Sequence, residues 1–113
     1  MSLHPPNSIA VIFLAMRTGK DEEGYQAAAN EMSALAKQQS GYLGEDHARS
    51  EDGLGITISY WADDNAAKAW RDNARHASVR EQGRGLWYDY YTLHVTRVER
   101  SYRWQKPVTD TNM

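Results

Sequence analysis

The segment from Ser8 to Met16, SIAVIFLAM, constrains the fold more than any other stretch of the chain. Ile9, Val11 and Phe13 fall on one parity, and Ala10, Ile12 and Leu14 on the other. Side chains of a strand alternate between its two faces. A strand apolar on both parities therefore belongs in the middle of a sheet that is covered twice. The chain has 113 residues, enough for one domain, so few elements are left to supply that cover.

The remaining elements follow from periodicity and turn chemistry. After a turn containing Gly19, Asp21 can cap a helix whose first turn carries Glu22 and Glu23 near its positive end. Tyr25, Ala28, Ala29, Met32, Leu35 and Ala36 form its apolar stripe, and Gly41 can end it in a left-handed conformation. A polar strand follows from Tyr42 to Glu51, whose Glu45, Asp46, His47 and Arg49 suit a sheet edge. Asp52-Gly53 makes a hairpin turn into an alternating strand from Leu54 to Trp61. Asp63 caps a second helix carrying Ala66, Trp70, Asn73, Ala74 and Ala77 on one face, with a break near Asn73 and a stop at Gly83 and Gly85. A last strand spans Leu86 to about Trp104, far longer than usual.

The order is βαββαβ. Right-handed crossovers turn it into a ferredoxin-like α+β plait: a four-stranded antiparallel sheet with both helices on one face. The domain is expected over residues 8–104, with 1–7 and 105–113 as flexible termini. Two helices cover one face only, so the first strand calls for a second copy on the other. The expected assembly is a homodimer with sheets face to face, and the distal half of the last strand, Glu99 to Trp104, reaching the partner.

Composition narrows the function classes. The net charge is -2, which disfavours a nucleic-acid binder that works by displacing counterions. There is no cysteine, so thiol catalysis, disulfides and thiolate metal sites are excluded, and four scattered histidines make no metal-ligand pattern. No apolar run approaches a membrane span, and no basic segment precedes an apolar one at the N-terminus. A cytoplasmic protein without membrane association is the default. Aromatics are skewed towards residues with a polar handle: Tyr 7, Trp 4, Phe 1, a set suited to lining a pocket or an interface. The densest functional group lies between Tyr60 and Gly85, where Trp70, Arg71, Arg75 and His76 share a helical region.

Several motifs, taken as a set, resemble the antibiotic biosynthesis monooxygenase (ABM) domains of the dimeric α/β-barrel superfamily, over residues 8–103. They are Ile58-Ser59-Tyr60-Trp61-Ala62-Asp63-Asp64, then Ala69-Trp70, Arg75-His76, Gly83-Arg84-Gly85-Leu86-Trp87-Tyr88, and Val95 to Tyr102. The resemblance implies a dimeric ferredoxin-like fold with a cavity between sheet and helices. It also implies either oxygenation of aromatic polyketides without metal or flavin, or haem degradation. The quinone-forming branch carries an Asn, then a Trp, then a Tyr; the matching positions here are Ala66, Trp70 and His76. The haem-degrading branch places its iron-ligating His where this chain has Arg80, and its first-strand Asn near Ile12.

On this basis the expected activity is a monooxygenase of a small aromatic or polyketide-like phenol, with no cofactor and no metal. His76 is the expected base, since an imidazole titrates near neutrality. Trp70 is expected to stack on a flat substrate or donate its indole N–H, with Tyr60, Tyr88 and Tyr90 as hydrogen-bond donors and Arg80 as anion stabiliser. Two other readings stand beside it: a dimeric ligand-binding module without turnover, and a haem-binding relative. The bland reading of Trp70 is a core residue, that of His76 a backbone-capping one, and that of His47 a solvated one.

Overall fold

The computed structural model describes residues 4–73 and 83–108. It contains β1 (Ile9–Arg17), α1 (Glu22–Lys37), β2 (Tyr42–Arg49), β3 (Leu54–Trp61), α2 (Asp64–Asp72) and β4 (Tyr88–Arg97). The sheet is four-stranded and antiparallel at each ladder, in the order β2-β3-β1-β4. The two-faced β1 is central and the polar β2 is an edge, as their compositions require.

Local chemistry places the helices. Asp21 takes a left-handed conformation (φ 49°), and its carboxylate accepts from the Gly24 backbone N–H at the start of α1. Its other oxygen accepts from the Trp87 indole N–H at 3.2 Å, so one cap ties α1 to the approach of β4. Gly41 follows α1 with φ 85°, and a Cβ there would stand 2.6 Å from that of Ala66. That close approach and the positive φ both call for glycine. Asp63 caps α2 through the Ala66 N–H, and α2 ends at Asp72 with Asn73 as its C-cap, where the sequence indicates a break.

Both helices lie over the sheet face that carries Val11, Phe13, Ala15 and Arg17. The core at one end of this layer is small and aromatic: Ile9, Ala36, Trp61, Ala67 and Trp70 are buried against one another. Trp61 and Trp70 stack with ring centroids 5.7 Å apart, and the Trp61 indole N–H is satisfied by Ser59 Oγ. The opposite face carries Ile12, Leu14 and Met16 beside Ile58 and Leu54, all half-buried in one copy of the chain.

The last strand differs from its expected extent. It ends at Arg97, not near Trp104. The reason is the length of its partner: Arg97 pairs with Ile9, the first residue of β1, so the ladder has no further rung beyond the backbone bonds that join Val98 to Asn7 and Ser8. Past that point Tyr102 and Trp104 are exposed.

Candidate functional site

A cavity of about 840 Å³ separates the helices from the sheet. Its floor comes from the odd residues of β1, among them Val11, Phe13 and Ala15, with Gly55, Thr57 and Ser59 of β3 beside them. Its roof comes from the stripe of α1 and from α2. Strand alternation makes this arrangement: cross-strand partners such as Phe13 and Thr57, or Ala15 and Gly55, share one face.

Trp70 lines one end of the cavity while its ring stacks on Trp61. It is therefore a core residue and a wall residue at once. The other end is cationic and aromatic. The Arg17 guanidinium lies 3.3 Å from the centroid of the Tyr25 ring and donates to Glu22 Oε1 at 2.6 Å. The Arg17 side chain is only 5% exposed, and its Nε–H is buried without an acceptor. Arg49 approaches the same ring from β2, 5.3 Å from its centroid, and donates to the Tyr25 hydroxyl at 3.1 Å.

Tyr88 stands beside this cluster. Its ring meets Phe13, Tyr25 and Tyr91 edge-on at 5.5, 6.1 and 5.9 Å. Burial, followed by the neighbouring Tyr25, pushes its phenol well above the ordinary value of 10.0. At neutral pH it is a hydrogen-bond donor and not a base. Between the two ends, Ser33 Oγ of α1 donates to Glu45 Oε1 of β2 at 2.5 Å, across the cavity's flank.

The structure brings together only part of the site expected from the sequence. Trp70 and Tyr88 both line the cavity. Tyr60 and Tyr90 pair with Ala10 and Met16 and so lie on the helix-free face of the sheet. Tyr60 there stacks on His4, with centroids 3.8 Å apart, and donates to Asp46. His76 and Arg80 lie outside the described residues.

The separation of Tyr88 from Tyr90 has a specific cause. Arg17 pairs with Tyr88 but Met16 with Tyr90, so β4 carries an extra residue, Asp89, at this point. Such a bulge breaks the alternation. Tyr88 consequently shares the cavity face with Tyr91, as their ring contact shows.

Four further residues line the cavity that the sequence alone does not single out. Glu45, His47 and Arg49 were read as edge-strand polarity; they pair with Ser59, Thr57 and Gly55 and line the cavity. The signal was their parity, which matches that of the cavity-facing row of β3. Arg17 was read as part of a turn, yet it continues the row Val11, Phe13, Ala15. Among the described residues no group of three or more His, Asp or Glu side chains is arranged to hold a metal ion. No described helix is long and apolar enough to cross a membrane.

Comparison with known proteins agrees with this architecture. The family model described as antibiotic biosynthesis monooxygenase matches residues 8–82. YqjZ of Bacillus subtilis (strain 168), itself an uncharacterized protein, is 38% identical over 105 residues, which cover 93% of this chain and 91% of YqjZ. Among solved structures, a mutant of SnoaB, a cofactor-independent oxygenase from Streptomyces nogalater, superposes with a TM-score of 0.72 at 13% identity, over 84% of this chain and 96% of its own. Rv0793 from Mycobacterium tuberculosis gives 0.68 at 16% identity, over 92% and 98%. At such identities the two structures speak for the fold alone. The family match, which spans well over half the chain, carries the assignment: this protein belongs to the antibiotic biosynthesis monooxygenase family.

Proposed function

We propose that the chain is a monooxygenase that oxidises a small aromatic or polyketide-like phenol in the cavity between sheet and helices, without a metal or organic cofactor. The observation that carries this reading is the cavity itself, about 840 Å³ and walled by Phe13, Tyr25, Trp70, Trp87, Tyr88 and Tyr91. A space of that size and lining suits a flat, apolar ring system. Family membership supports the same reading, as does the description of the structurally similar SnoaB as a cofactor-independent oxygenase.

The chemistry asks little of the protein. A base removes a proton from an electron-rich ring system, and the anion passes one electron to dioxygen. The two radicals combine as a peroxide, which loses water as its carbon becomes a carbonyl. In sum, one ring CH₂ and one O₂ give one C=O and one H₂O. The protein supplies the base, a dry pocket and hydrogen-bond donors aimed at the developing anion. In this proposal His76 is the base and Arg80 an anion stabiliser. Trp70 and Tyr88 are the wall groups nearest in kind to the stacking and donating roles.

The working unit is proposed to be a homodimer with helix-free faces packed together. Support comes from the half-buried row of Ile12, Leu14, Met16 and Ile58 and from the exposed Tyr102 and Trp104 beyond the ladder. An oxygen electrode with an anthrone, in the presence of a chelator and without flavin, tests the activity. Oxygen uptake above the uncatalysed rate is expected, and uptake equal to it overturns the proposal. Unchanged turnover in His76→Ala removes that residue from the mechanism.

A further inference from the structure

We propose that the Arg17–Arg49 end of the cavity is an anion subsite, so that the aromatic ligand carries a carboxylate or an equally acidic group at one end. The inference rests on the reading above, that an aromatic occupies the cavity, and adds what fixes its orientation.

Four observations converge on this end. Both guanidinium groups flank Tyr25, at 3.3 and 5.3 Å from its ring centroid. Arg17 is buried and spends one donor on Glu22, while its Nε–H has no acceptor. A buried unpaired donor is destabilising, and an arriving oxygen acceptor relieves it if the side chain swings by a small amount. Arg49 donates to the Tyr25 hydroxyl, and among the described residues no carboxylate pairs with it. Finally, the floor between them is Ala15 and Gly55, the smallest side chains available. A Cβ at Gly55 would sit 4.0 Å from Arg49 Nε, so the space beside that guanidinium is open because glycine is there.

Charge across the cavity agrees. Its described lining has four cationic side chains; Arg17 pairs with Glu22, Lys68 with Asp64 and Arg71 with Asp72, which leaves Arg49 as the lining cation without a carboxylate among the described residues. Tyr88 stays protonated through the alkaline shift of its phenol and adds a neutral donor. Guanidinium groups recognise carboxylates through paired donors, which makes arginine the suited residue. From Arg17 to Val11, beside Trp70, β1 rises about 20 Å. A ligand anchored at the arginines and reaching towards Trp70 is therefore a fused polycycle and not a single ring.

Isothermal titration of the full chain with 9,10-anthraquinone-2-carboxylate and with its carboxamide tests the inference. The carboxylate is expected to bind at least about tenfold more tightly, and Arg49→Gln is expected to abolish that preference while Lys68→Ala leaves it. Arg49 is chosen because Arg17 is buried and its replacement can compromise folding. Equal binding of the two compounds to the unmodified chain, or a preference that survives Arg49→Gln, overturns the anion subsite and leaves the aromatic cavity standing. Binding of neither compound overturns both.

Discussion

Trp70 is where the structural and chemical accounts of this fold meet, and replacing it separates them. The side chain is 8% exposed and stacks on Trp61, itself fully buried. Burying a Trp removes about 150–250 Å² from water, worth about 4–6 kcal/mol at about 25 cal/mol/Å². Trp→Ala changes in cores accordingly cost about 3–5 kcal/mol. Trp70→Ala should fall in that range, since neither Ala67 nor Ala36 can expand into the gap. Trp70→Phe keeps a stacking ring on Trp61 and should cost about 1–2 kcal/mol. Urea unfolding followed by circular dichroism, at one fixed protein concentration, reads both values. A loss below about 1 kcal/mol in Trp70→Ala would refute the structural role and leave Trp70 as a wall residue only. If Trp70→Phe keeps its stability but loses anthrone turnover, the indole has a chemical role beyond packing.

Three further outcomes follow from the geometry. Tyr88, Tyr60 and Tyr42 all have phenols raised above the ordinary value of 10.0, with burial the leading cause in each. The unfolded chain therefore releases these protons first, so their contribution is intact below about pH 10 and is lost as pH rises beyond it; Tyr88→Phe should flatten that alkaline decline in a series of urea midpoints. Gly55→Val places a branched side chain on the floor beside Arg49 at a position without positive φ. It should leave thermal stability within about 1 kcal/mol while weakening binding of anthraquinone carboxylate at least about tenfold. If the proposed dimer forms, Ile58→Lys, on the helix-free face opposite Ile12, should shift its light-scattering mass from dimer to monomer; a monomeric unmodified chain, or a dimer unchanged by the substitution, would overturn the face-to-face assembly.

Much of this fold was legible because its signals are local. Asp21 and Asp63 cap helices wherever a free N-terminus presents unpaired N–H groups, and Asp52-Gly53 makes a turn without help from distant residues. The apolar parities of β1 identified a central strand for the same reason. The site was less legible because it depends on register. The bulge at Asp89 exists only in the pairing of β4 with β1, and no residue type announces it. It nevertheless decides that Tyr88 faces the cavity and Tyr90 does not. Arg17 and Arg49 were hidden for a different reason: a charge in a turn or on an edge strand normally faces water. Here the helix α1 brings Tyr25 across both of them, a contact between residues distant in sequence.

A crystal structure of the full chain with 9,10-anthraquinone-2-carboxylate tests the central claim most directly. The account predicts the ring system between α1 and the sheet, beside Phe13 and Tyr88, with its carboxylate within hydrogen-bond distance of Arg49. Ligand bound on the helix-free face, or a cavity that stays empty at saturating concentration, would contradict it.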